Sequence, residues 1–397
     1  MIKIYKHSVI ILLSLIINLF FLHQGITTTS VTISDSEKDR TIKIAEIWKD
    51  RIDKKKEKNH SKLCPVINNS HIFIANKKGR VKALSLDSGK IIWSVNLSHI
   101  FLNQSILLSG GISLSDNQIY IGSEKAIMYA LHAKNGAILW KSSVAGEVLS
   151  IPVITQDSIL LQTENGMLQA LNKLDGTINW TIHIDTPFIK IRGTPSPILI
   201  CNRAIVGTSN GIVSSILLNN GKILWQRNLS LYNKKEKNYR DITGIKSINH
   251  IVYAIAYNGI LAAINLFSGE IIWYERIEGG EFRDFLVTEN AIYLLDQNNR
   301  LIAWNIRERK IIWEQKQFIQ ENKLTDIILD ANNIFIFDDK GYLYCINVMN
   351  GILLGKVKLI RSGLICSPII YGNKLIIQSQ YGMLHTFLIK RSGKLHT

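Results

Sequence analysis

The residue types that most often do chemistry are thinly and irregularly placed in this chain. Cys64, Cys201, Cys345 and Cys366 include no C-x-x-C pair and no adjacent pair, so the spacing offers neither a zinc site nor a redox dithiol. Cys345 and Cys366 fall in consecutive strand-rich segments, where they either pair or serve as small buried apolar residues. The 10 histidines are scattered without metal-ligand spacing. No G-x-S-x-G, H-E-x-x-H or P-loop pattern appears. The Gly110–Gly111 and Gly279–Gly280 pairs lie between strand-like segments and fit loops better than a phosphate cradle.

One constellation does recur. The stretch "ALSLDSGKIIW", Ala83 to Trp93, sets a small residue, a Gly turn and a Trp in fixed phase, and the phase returns at Trp140, Trp180, Trp225, Trp273 and Trp313. Each copy is either a cofactor box or a building block. A worn copy ends at Gly355 where the Trp should stand, and another begins at Gly382 and runs out of chain. The period of 40 to 48 residues is that of a propeller blade.

The elements that would position these residues are short strands. Between Val148 and Trp180, "VLSIPVI", "SILLQT", "MLQALN" and "TINWTI" are rich in β-branched residues and separated by turn residues. Asp175–Gly176 is a tight hairpin signal, and "DSG", "KNG", "NNG" and "FSG" hold its place in sister copies. Four antiparallel strands per copy make one blade. The Trp then lies on the outermost strand and the small residue on the third. That predicts inter-blade packing, with an indole N–H that needs an acceptor. The last copy lacks its Trp strand, and "TIKIAEIWKDRI" supplies one from the N-terminal side, with Trp48 inside the repeat period. The expectation is an all-β, eight-bladed propeller of four antiparallel strands per blade, closed by an N-terminal strand that completes the last blade. Closure of this kind removes an open edge.

With 397 residues, 46% of them hydrophobic and 20% charged, the chain is globular rather than disordered. Its net charge of +16 is spread out, and the runs Lys49–Lys58 and Asn233–Arg240 are interrupted by acids as solvated loops are. No nucleic-acid partner is expected. Lys3 and Lys6 precede an uncharged stretch of 15 residues, Ser8–Leu22, which suits a secretory signal and is short for a membrane span of about 20. Residues 1–24 are therefore expected to be a signal peptide or N-terminal anchor, 25–43 a polar tether, and 44–397 the propeller.

The motif A-L-x-x-x-x-G-x-x-x-W resembles the tryptophan docking motif of pyrroloquinoline quinone dehydrogenases, which are eight-bladed quinoproteins. That resemblance implies a vicinal disulfide over the quinone and a carboxylate–amide calcium site. This chain has no adjacent cysteines, and its acids, such as Asp87 and Asp175, sit mostly at turns. A fold likeness alone does not carry the chemistry. No enzyme, metal or cofactor is expected.

Whole segments are more specific. Leu107–Val153, "ENGMLQALNKLDGTINWTIHIDTPFIKIRGTPSP", "AIAYNGILAAINLFSGEIIW", "AIYLLDQNNRLIAWNI" and "KGYLYCINV" resemble the outer membrane assembly lipoprotein family BamB, over a stretch from about Trp48 to the last strand. The resemblance implies a non-enzymatic periplasmic scaffold that docks on the POTRA domains of the β-barrel insertase BamA, monomeric within that complex, and assists assembly of outer-membrane β-barrel proteins. Unfolded outer-membrane proteins are a second implied partner.

Carried over by residue, the family's partner-binding loop matches "FIKIRG". Ile189 and Ile191 stand where the family has leucines, and Arg192 matches its arginine. On periodicity alone the two isoleucines would simply alternate into a strand face. Asp241, in "YRDITGIKSINH", matches one Asp of the family's D-x-D loop, while the other has become Thr243 or has been lost. The family is lipidated on a Cys directly after its signal, whereas here "FFLHQG" occupies that place and no Cys precedes Cys64. Lipid anchoring at the periplasmic face of the outer membrane is thereby put in doubt.

Overall fold

The computed structural model describes residues 31–392 apart from 36–39, 53–62, 101–104, 149, 185–194, 233–240, 279–280, 319–321, 331 and 365. Eight antiparallel sheets follow one another along the chain. Blade 1 spans Val66–Asn96, blade 2 Leu108–Ser143, blade 3 Val153–His183 and blade 4 Ile198–Asn228. Blade 5 spans Ile242–Arg276, blade 6 Phe282–Gln315 and blade 7 Leu324–Lys358. Blade 8 takes Ile369–Tyr371, Lys374–Gln378 and Met383–Ser392 from the C-terminal end and Arg40–Arg51 from the N-terminal end. Trp48 there lies opposite Thr386.

The second and third strands of each blade are buried almost without a break, as in His71–Ala75 and Arg80–Ser85. Alternation explains this. Ile72 and Ile74 face blade 8, while Phe73 and Ala75 face blade 2, so both parities of the strand meet a neighbouring sheet. The apolar core is accordingly divided into eight clusters, one for each pair of adjacent blades. Each fully buried Ile, Leu or Phe contributes about 1.5–3 kcal/mol relative to exposure. Outer strands other than Arg40–Arg51 of blade 8 have a sheet partner on one side only and alternate in exposure, as in Ile271–Arg276.

The outer-strand Trp of each of the first six blades sits directly across from a small residue. The pairs are Ala83 with Trp93, Ala130 with Trp140, Ala170 with Trp180, Ser215 with Trp225, Ala263 with Trp273 and Ala303 with Trp313. In blade 7 the same register pairs Cys345 with Gly355. No disulfide joins Cys345 to Cys366, and both are buried.

One correction concerns the N-terminal stretch. Val31–Asp35, inside the region expected to be a tether, is a strand that pairs with Asp35 opposite Arg40 and Val31 opposite Ile44. Blade 8 therefore has five strands, and the fifth lies alongside the outer strand of blade 7, Leu353–Lys358. "VTISD" alternates in the manner of an edge strand, but it stands outside the repeat, so no sister copy marks it.

Candidate functional site

The connections between blades and the turns between second and third strands share one face of the ring. Backbone bonds tie the two sets together: Leu97 N–H donates to the Gly79 carbonyl (2.9 Å), Ile184 to Gly166 (2.7 Å), Leu229 to Gly211 (2.8 Å) and Ile277 to Gly259 (3.1 Å). The Gly hairpins between third and outer strands form the opposite face.

Asp241 lies on the first face, half-buried, at the end of the connection from blade 4 to blade 5. Its carbonyl accepts from Tyr257 N–H at 2.8 Å, and the next residue, Ile242, donates its N–H to the Thr208 carbonyl at 3.1 Å. The aspartate is thus held between two blades by its backbone. Thr243 turns back onto its own sheet, donating to the Ile255 carbonyl at 3.3 Å. Ile189, Ile191 and Arg192 lie outside the described residues. The last described residue before them, Ile184, closes blade 3 beside Gly166, and Pro195 leads into blade 4. The connection that carries them therefore joins blades 3 and 4, one connection before Asp241.

The repeated tryptophans are between blades. In six of them the indole Nε1–H donates to a carbonyl of the next blade: Trp48 to Leu86 (3.0 Å), Trp93 to Ala133 (2.8 Å), Trp140 to Lys173 (3.2 Å), Trp180 to Leu218 (2.8 Å), Trp225 to Leu266 (2.9 Å) and Trp313 to Val348 (3.0 Å). The acceptor always precedes the hairpin Gly by three residues, and the ring covers that Gly. At Gly176 a Cβ would lie 2.5 Å from the Trp140 ring, and its φ of +74° already disfavours an L side chain. Trp273 packs against Tyr253 with centroids 6.1 Å apart and the rings tilted by 54°, and the turn of the blade after it carries Arg309 at φ +54° instead of Gly.

A polar network joining blades 6 and 7 went unseen in the sequence. Arg283 donates Nε to Gln297 Oε1 (2.9 Å), Nη1 to the Leu324 carbonyl (2.8 Å), and Nη2 to the Gln297 carbonyl. Burial pulls its guanidinium below the ordinary value, against the charges of Asp296 and Asp339. Asp284 Oδ2 accepts from Ile327 N–H at 3.1 Å. The buried carboxylates Asp296 and Asp338 cap turns, accepting from the N–H groups of Arg300 and Tyr342 at 2.8 Å. Asn76, Ser123, Thr208 and Ser379 do the same at equivalent positions. Their common offset, three residues before the turn Gly or its replacement, was the available signal. These acids hold turns rather than form an acid–base pair. Among the described residues no group of three His, Cys, Asp or Glu side chains converges as metal ligands would.

A ring of eight antiparallel blades, seven of four strands and the closing one of five, tied Trp to Gly and closed between its two ends, is a PQQ-like repeat β-propeller. A family model described as outer membrane protein assembly factor BamB matches residues 77–315. A BamB from Moranella endobia is 41% identical over 338 residues, 83% of this chain and 86% of the relative. The chain belongs to the outer membrane protein assembly factor BamB family. In three dimensions it is similar to BamB from Moraxella catarrhalis, with a TM-score of 0.74 at 19% identity, covering 87% of this chain and 99% of that one. A quinohemoprotein alcohol dehydrogenase from Pseudomonas putida shares the fold alone, with a TM-score of 0.66 at 12% identity over 89% of this chain and 77% of that one. Family membership sets the chain apart from those enzymes: it is not an enzyme.

Proposed function

We propose that the chain is a scaffold subunit of the machinery that assembles β-barrel proteins into the outer membrane, working on its periplasmic face. The observation that carries this is the 41% identity, over most of both chains, to a protein named as an outer membrane protein assembly factor. In this reading the partner is a BamA-like insertase, engaged through its POTRA domains. The docking element is the blade 3 to blade 4 connection with Ile189, Ile191 and Arg192, and Asp241 contributes from the next connection. Two apolar side chains beside an arginine suit an interface core, because Arg combines apolar contact with bidentate hydrogen bonding. Asp241 supports the reading by its placement on a backbone fixed to Thr208 and Tyr257, on the face shared by the connections.

Unfolded barrel proteins are a second proposed partner, held by β-augmentation at outer strands. Ile92, Ile272 and Ile312 are about half exposed on such strands. Residues 1–24 are assigned as signal or anchor. No helix among the described residues is long and apolar enough to cross a membrane, and Ser8–Leu22 lies outside them. Lacking a lipobox cysteine, the protein is held by its partner or by an uncleaved N-terminal segment.

The test is Arg192→Ala. If Arg192 is a hot spot, its loss weakens co-purification with the insertase by about 30-fold in affinity while the melting temperature stays within a degree or two. Undiminished co-purification removes the docking assignment.

A further inference from the structure

Blades 7 and 8 meet at a cleft of about 700 Å³ on the face of the blade-to-blade connections. Among the described residues, four cations line it. Lys49 and Arg51 come from the N-terminal strand Arg40–Arg51, and Lys358 and Arg361 from the end of blade 7 and the connection that follows. Glu46 is the one carboxylate in the described lining, and it is already engaged by Lys49 at 3.1 Å and by His385 Nδ1 at 2.7 Å. The other cations face weaker company. Arg51 points Nε at the Met383 thioether, 3.1 Å away, a poor acceptor for a guanidinium. Lys358 lies over the Tyr342 ring at 5.1 Å. At the floor, Ser379 is buried and accepts from Met383 N–H at 3.2 Å, which leaves its hydroxyl hydrogen to donate.

Like charges gathered in a cleft repel unless an anion joins them. The volume lies within the range of small-ligand sites. Two guanidinium forks, two ammonium groups and hydroxyl donors match the tetrahedral, multiply accepting oxygens of phosphate.

The strand directions indicate where that phosphate comes from. The fifth strand of blade 8 starts at Val31 opposite Ile44 and ends at Asp35 opposite Arg40, so its N-terminal end is the one nearer Lys49 and Arg51. The apolar segment Ser8–Leu22 precedes that end by the eight residues 23–30, which span at most about 28 Å when fully extended. A membrane holding this segment would lie within reach of the cleft. We infer that the cleft between blades 7 and 8 binds the phosphate of an anionic phospholipid headgroup. The site lies on the same face as Asp241 but three blade interfaces away, and does not depend on docking to the insertase.

Calorimetry on the full chain tests this, with soluble short-chain phosphatidylglycerol, short-chain phosphatidylcholine and inorganic phosphate as separate probes. Saturable binding of phosphatidylglycerol is expected, at least tenfold tighter than either of the other two. Arg51→Gln with Arg361→Gln should weaken it at least tenfold. Lys90→Gln with Lys222→Gln, an equal loss of charge on the exposed hairpins of the opposite face, should leave it unchanged. Should the Arg51 variant fold poorly, Arg361→Gln with Lys358→Gln makes the same test without touching the closing strand. Equal binding of inorganic phosphate would overturn the lipid assignment in favour of a free-phosphate site. Equal weakening by the control pair, or no saturable binding at all, would overturn the site itself.

Discussion

Trp48 and Gly89 close the ring. The indole of Trp48, on the N-terminal strand of blade 8, donates to the Leu86 carbonyl at 3.0 Å and covers Gly89 so closely that a Cβ there would lie 2.5 Å from its Cε3. The contact joins the last blade to the first through a cluster that includes Ile52, Ile72, Leu84, Leu86, Ile376 and Leu384. Trp48→Ala should therefore cost about 3 kcal/mol, the low end of what truncating a core aromatic costs, because the ring is partly buried. Trp48→Phe keeps most of the area and loses the hydrogen bond, at a cost nearer 1 kcal/mol. Urea denaturation of both variants checks the ranking, and equal costs would show that ring area plays no part in closure.

Arg309 marks the one Trp-bearing interface where the turn residue is not Gly. It holds φ +54°, a conformation that costs a non-Gly residue about 1–2 kcal/mol. Its ion pair with Glu275, at 3.9 Å and half exposed, gives back little. Arg309→Gly should raise stability by up to about 1 kcal/mol, partly offset by the added freedom of the unfolded chain. A lower melting temperature in differential scanning calorimetry would mean that the Arg309 side chain makes a contact worth more than its strained backbone costs.

The periodic part of this molecule was open to reading and the aperiodic part was not. Ala83 and Trp93, or Ala170 and Trp180, are close in sequence and face each other across one hairpin, so a one-dimensional pattern encodes their meeting. The composite blade was legible by subtraction, because the final copy lacked a Trp strand and Trp48 stood in phase at the other end. Val31–Asp35 offered no such phase. The candidate interface was legible only through family likeness: Arg192 and Asp241 stand in blade connections, where no repeat constrains the side chains. The cations of the blade 7–8 cleft come from opposite ends of the chain, and only ring closure brings Arg51 near Arg361.

Gly355 follows from the same geometry. A Trp on an outer strand needs the hairpin between third and outer strands of the next blade as its seat. Blade 8 has no such hairpin, because Met383–Ser392 pairs with a strand from the other end of the chain. Val31–Asp35 occupies the neighbourhood of the blade 7 outer strand instead. Restoring the repeat with Gly355→Trp should thus destabilise by roughly 1–3 kcal/mol through overpacking. A gain in urea midpoint would show that a seat exists and that the missing Trp has another cause.

His385 and Glu46 make the closure sensitive to acid. They join the C-terminal and N-terminal strands of blade 8 at 2.7 Å, with Lys49, Arg51, Lys358 and Arg361 around the same cleft. Burial holds the His385 imidazole below its ordinary value of 6.5, against the pull of Glu46. Burial pushes the Glu46 carboxyl up, but hydrogen bonds from His385 and Lys49, with their charges, bring it below its ordinary 4.5. As pH falls below about 6.5 the unfolded chain takes a proton that the native imidazole refuses, so stability declines toward the folded value of His385. The Glu46 contribution, complete above about 4.5, is lost at still lower pH as its carboxylate protonates in the folded state. Both effects run in one direction. The melting temperature should fall between pH 7 and pH 5.5, and the fall should be smaller in His385→Gln, whose amide can still donate to Glu46 without titrating. Identical slopes for the two proteins would assign the acid sensitivity to other groups.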